Sequence, residues 1–178
     1  LALLAISLLY TCLPSERRKA MQRQAIGANL MQCISNYYLV VLNGLALLIH
    51  LLFTGLFAML PYILLQEYDY HLGQNVWMYN GFMLGSFVLS FVFIAAIRRC
   101  KDRRAPIMIA CAVMSLGLIA AAYFHSYLYA LMTGFSLFLI GFNLLESLIP
   151  SQVTIIAPDV QRGAAMGLYS SHQYLGIF

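Results

Sequence analysis

Residues 24–66 carry no formal charge, and most of the second half of that stretch is one apolar run, Gly44–Leu65. A helix needs about 20 apolar residues to cross a ~30 Å hydrocarbon core, so a run of this length belongs in lipid. The pattern recurs. Apolar runs occupy 1–13, Gly44–Leu65, Val76–Ile97, Pro106–Phe124, Tyr127–Ala157 and 164–178. Membrane strands would be about 10 residues long with alternating polarity, and nothing here alternates. Without water the backbone must satisfy its own hydrogen bonds, which leaves helices. The expected fold is an all-α, polytopic membrane helical bundle. Composition agrees, because only 9% of the 178 residues are charged, against about 25% in soluble domains.

Lysine and arginine set the orientation. All ten lie at 17–23, 98–104 and Arg162, whereas the connections 66–75 and 125–126 hold none. The positive-inside rule therefore places 14–42, 98–104 and 158–163 on the cytoplasmic side. The net charge of +4 is thus an orientation signal and not a nucleic-acid footprint. Two spans within 24–66 would break that charge rule. Asn29, Gln32, Ser35, Asn36 and Asn43 also make 24–43 a poor lipid-facing segment. It reads as an interfacial amphipathic lead into the second run. The chain opens with Leu1 inside one apolar run and closes at Phe178 inside another, and both ends read as cut through a span.

Small residues recur at helical spacing as Gly81-x-x-x-Gly85 and Gly163-x-x-x-Gly167, a pattern that lets helices approach closely. Cys12, Cys33, Cys100 and Cys111 form no C-x-x-C pair, so neither a disulfide framework nor a zinc site is expected. No metal, cofactor or nucleophile–base set is expected either, which argues against an enzyme. His71 and His125, with Glu67 and Asp69 near the outer face, match no catalytic motif.

Glu146 carries the most information. It stands eleven residues before Ala157, the end of its apolar run, roughly 16 Å into the membrane. Intramembrane carboxylates face a cavity or a partner. This one reads as a proton carrier, as a counter-charge for a cationic substrate, or as a neutral group bonded to a neighbouring helix beside Asn143. Pro150, four residues on, removes a helix hydrogen bond and marks a kink. His50 lies roughly 10 Å from the start of its run and is either a proton relay or a packing histidine. Tyr62, Asn80, Asn143, His172 and Gln173 suit a cavity lining or helix-to-helix hydrogen bonds. The loop from Arg98 through Asp102 and Arg103 reads as an orientation signal or as a conformational latch. Asp159 is expected to cap the last helix, with Arg162 one turn on.

The stretch 141–176 is more specific. It reads Gly-Phe-Asn-Leu-Leu-Glu-Ser-Leu-Ile-Pro-Ser, then Ala157-Pro158, then Arg-Gly-Ala-Ala-Met-Gly-Leu-Tyr-Ser-Ser-His-Gln-Tyr-Leu-Gly from Arg162. This resembles the tenth and eleventh helices of major facilitator transporters, in particular the YajR-like branch of proton-linked efflux proteins. The resemblance implies that 1–13 is the end of helix six, 14–42 the cytoplasmic link between two halves, and 43–178 helices seven to eleven, the last truncated. It further implies a multi-pass protein of the inner (plasma) membrane, exporting drugs or small metabolites in exchange for protons by alternating access. Glu146 matches the helix-ten glutamate and Gln173 the helix-eleven glutamine. The partners implied are a small-molecule substrate, protons, the lipid bilayer and a missing N-terminal half. No cofactor and no nucleic acid are expected. The alternative is a non-transporting membrane sensor or assembly protein on the same fold.

Overall fold

The computed structural model describes residues 24–69, 76–97 and 104–178. Six α-helices follow one another: α1 (Gln24–Ser35), α2 (Tyr37–Tyr68), α3 (Val76–Ile97), α4 (Arg104–Tyr123), α5 (Leu128–Ile156) and α6 (Arg162–Ile177). A 3-10 turn, Asp159–Gln161, links the last two. Four of them, α2 to α5, contain segments long and apolar enough to cross a membrane. No strand occurs among the described residues.

The second span starts earlier than the apolar run implies. The break falls at Asn36, whose Oδ1 accepts from the Tyr38 and Leu39 amides at 3.1 and 3.5 Å. An asparagine that satisfies the first free N–H groups starts a helix wherever it stands. The lead therefore ends at Ser35, and α2 takes in the seven residues before Gly44. At its far end Asp69 adopts φ 50° and its N–H returns to the Leu64 and Leu65 carbonyls, a left-handed stop that Asp tolerates. Pro61 and Pro150 sit inside α2 and α5 without ending them.

The centre of the bundle is α5, which packs against α2, α3, α4 and α6. Phe135, Phe138, Leu131 and Leu145 on it are wholly enclosed. By contrast, α3 leaves Leu84, Phe91 and Val92 exposed, an apolar face that none of the described residues covers. Helices α4 and α5 approach closely. A Cβ at Gly134 would sit 2.6 Å from the Ala121 nitrogen and one at Gly117 2.7 Å from the Gly134 carbonyl. Only glycine lets the two backbones touch there.

The spaced glycine pairs in the sequence are used differently from the expectation. Cβ atoms at Gly81, Gly85, Gly163 and Gly167 would meet nothing within 4 Å among the described residues. Spacing marks a small-residue face but not the helix that covers it. Asp159 does not cap α6 either. Its carboxylate pairs with Arg162 at 2.8 Å, and Arg162 Nε donates to the Thr154 carbonyl at 2.9 Å, which fastens the turn to the end of α5. On the opposite side the Tyr68 hydroxyl donates to the His125 carbonyl, tying α2 to the α4–α5 turn.

Candidate functional site

Three polar side chains from three helices meet in the apolar interior. Gln173 on α6 donates through Nε2 to Glu146 Oε1 on α5 at 2.7 Å. His50 on α2 brings its Nε2 to 3.3 Å from Glu146 Oε2 and to 3.0 Å from Gln173 Nε2. His50 is 4% exposed, while the Glu146 side chain keeps 36% of its surface accessible. The site thus has one sealed partner and one partner open to the interior face.

The earlier start of α2 explains the match in depth. His50 stands thirteen residues from Tyr37, about 20 Å along the helix and not the 10 Å that the apolar run gives. Glu146 and Gln173 each lie eleven residues from the turn between α5 and α6, counted from Ala157 and Arg162, so the three side chains converge from comparable depths.

Geometry fixes the role of each ring nitrogen. His50 Nδ1 lies 2.8 Å from the Ala46 carbonyl, so it carries a hydrogen in every charge state. Only Nε2 can gain or lose a proton, and it faces both Glu146 and Gln173. An amide NH2 beside Nε2 requires that nitrogen to accept, which is the neutral imidazole. A proton on Nε2 would instead be donated toward Glu146 Oε2, 3.3 Å away.

A cleft of about 460 Å³ adjoins this site. Phe53, Phe57, Phe87 and Phe142 wall it, and Asn80 and Asn143 are its amides. Phe142 joins the two regions: its ring stacks on Phe53 at 4.3 Å and meets the His50 ring edge-on at 5.3 Å. Asn143 Nδ2 also donates to Ser90 Oγ on α3 at 3.3 Å. Another cleft, about 520 Å³, lies between α3 and α5 beside Trp77, Gly81 and Ser136. Unlike the first cleft, it has no lining residue in ring contact with His50, so its slightly larger volume does not make it the chemical site.

The other sequence candidates fall around this centre. Pro150 is half-buried one turn from Glu146, and its missing N–H leaves the Glu146 carbonyl without its helix donor. His172 is half-buried, with Nδ1 on the Leu168 carbonyl at 2.9 Å, next to the triad in sequence but not bonded to it. Tyr62 is 60% exposed and lines neither of these two clefts. Arg98, Asp102 and Arg103 lie outside the described residues. His125 turns Nδ1 to the Ala122 carbonyl at 2.9 Å. Sequence reasoning missed Phe53, Phe57 and Phe142, because aromatic residues in an apolar run give no sign of whether they face lipid or a cleft. It also missed Tyr169, which has the same ambiguity.

Comparison with known proteins fits this architecture. Residues 1–178 match the Major Facilitator Superfamily. The chain is 26% identical over 186 aligned positions to the inner membrane transport protein YajR of Escherichia coli (strain K12). That alignment covers 99% of this chain and 39% of the relative, so the chain spans about two fifths of the relative's length. With the family matched from end to end and a bundle of apolar helices to carry it, this multi-pass membrane chain belongs to the Major Facilitator Superfamily.

Proposed function

We propose that the chain supplies the C-terminal half of a secondary transporter of the inner (plasma) membrane that exports drugs or small metabolites in exchange for protons. It acts as a transporter and not as an enzyme. One observation carries the reading: a carboxylate held between a sealed histidine and an amide, with the three side chains coming from three different helices. A proton on Nε2 favours the imidazolium–carboxylate pair between α2 and α5; its loss leaves the Gln173 amide as the donor to the carboxylate, between α5 and α6. The charge state is thereby tied to the contact between two helices, which is what coupling by alternating access requires. The aromatic cleft that shares Phe142 with His50 supports an apolar substrate with hydrogen-bonding groups for Asn80 and Asn143. Binding between two halves near the midplane leaves this chain with half a cavity, so it does not transport by itself.

The test uses everted vesicles containing the natural full-length protein, energised to an acidic interior and challenged with a panel of aromatic compounds while a pH-sensitive dye reports proton release. Compound-dependent proton release is expected, and Glu146→Gln reduces it to background with membrane insertion unchanged. Full proton release from the Glu146→Gln protein would refute the reading.

A further inference from the structure

Two sealed polar atoms lie between the triad and the cytoplasmic side. Asn43 Oδ1 on α2 and the Tyr169 hydroxyl on α6 have no hydrogen-bond partner among the described residues. Their residues are 1% and 3% exposed. The two positions are level with each other. Helices α2 and α6 both start from the cytoplasmic side and pack together, meeting where a Cβ at Gly176 would strike the Leu47 carbonyl and lie 2.9 Å from His50 Cβ. Seven residues before His50 is Asn43, and seven before Gly176 is Tyr169, an equal retreat of about 10 Å on each helix. Tyr169 is also one turn from Gln173 on the same face, and the Glu146 carboxylate acts electrostatically on its phenol.

An amide oxygen and a hydroxyl buried without partners are expensive, and proteins meet that cost with a bound water making about three hydrogen bonds. Ala46 and Ala165, the buried neighbours on the two helices, carry no charge that would hold an ion. The ligand that fits is small and neutral, and both donates and accepts. We propose that Asn43 and Tyr169 hold a water molecule that links the Glu146–His50 pair to the cytoplasmic side as a proton relay. The water donates to Asn43 Oδ1, which fixes its position. The Tyr169 hydroxyl bonds to the same water and faces the pair. A proton leaving Nε2 or the carboxyl enters this O–H chain as another leaves on the cytoplasmic side, so neither Asn43 nor Tyr169 changes charge. The relay rests on the coupling role of Glu146 and His50, whereas the water does not.

Hydroxyl-radical footprinting of the natural full-length protein tests the water, because radicals born from a bound water label the ring beside it. Tyr169 is expected to label despite its burial. Asn43→Leu lowers that labelling about fivefold or more, and Asn43→Ser, which keeps a polar oxygen, stays within about twofold of the native rate. Equal labelling in the native and Asn43→Leu proteins overturns the water and the relay together. Infrared spectroscopy after a pH jump tests the relay, with the Glu146 band assigned by its loss in Glu146→Gln. Protonation of Glu146 slows about tenfold in Tyr169→Phe, and an unchanged rate overturns the relay. A Glu146 band that answers to no pH overturns both the coupling role and the relay but leaves the water standing.

Discussion

The α4–α5 seam and the contacts that α5 makes with α2 and α6 share one helix and are built from different materials. The first is dry and joins backbone to backbone at Gly117, Gly134 and Gly141, where a Cβ at Gly141 would come within 2.6 Å of Met114 Cβ. Contact of that kind has a single arrangement, because a displaced backbone finds no second fit. The second seam is bridged by long side chains: Glu146, Gln173 and His50 reach across at 2.7–3.3 Å. Side-chain amides and imidazoles rotate, and their hydrogen bonds can be re-formed in another pattern. A bundle that must be rigid as a body and still answer to a proton needs one seam of each kind, and α5 is the strut that belongs to both.

Substitutions at the two seams should therefore separate stability from coupling. The largest effect is expected from Gly134→Leu, whose side chain has no room between α4 and α5. It should destabilise the protein by about 3 kcal/mol or more, seen as a large drop in melting temperature in detergent and loss of the monodisperse peak. A native-like melting curve would break the comparison. Gln173→Leu removes the donor to the carboxylate and should lower stability by about 1–3 kcal/mol, with fewer protons released per substrate in the vesicle assay. Asn143→Leu breaks the bond to Ser90 and should lower stability by only about 0.6 kcal/mol, the usual strength of such bonds in lipid. Its substrate affinity should change while its proton stoichiometry holds. His50→Phe keeps a ring against Phe142 and should melt within about 1 kcal/mol of the native protein while proton release is lost. If that protein releases protons normally, the histidine only packs.

Much of this was legible in the sequence. The limits of α3 at Val76 and Ile97 coincide with the apolar run, because lipid leaves the backbone no choice but to stay paired until the charges begin. The start of α2 did not coincide with its run, since a capping asparagine acts locally and outweighs hydropathy over half a dozen residues. Glu146 stood out because a carboxylate in an apolar run has few explanations, and Gln173 because it lay in the specific stretch. What could not be read was partnership. The side that Phe142, Tyr169 or Tyr62 faces depends on how neighbouring helices rotate against each other, and no periodicity in a uniformly apolar segment reports it. The glycines show the same limit: Gly117 and Gly134 belong to no spaced motif, yet they let two backbones touch.

The 32 residues of α2 make a rod of about 48 Å, half as long again as a typical hydrocarbon core. Its 22-residue neighbour α3, at about 33 Å, fits almost upright. The longer rod must lean or leave its ends in the headgroups, and the lean follows the thickness of the membrane. Because His50 rides on that rod and Glu146 on another, lipids with shorter or longer tails should alter how closely the two side chains meet. Fatty-acid composition would then act as a mechanical adjustment on proton exchange.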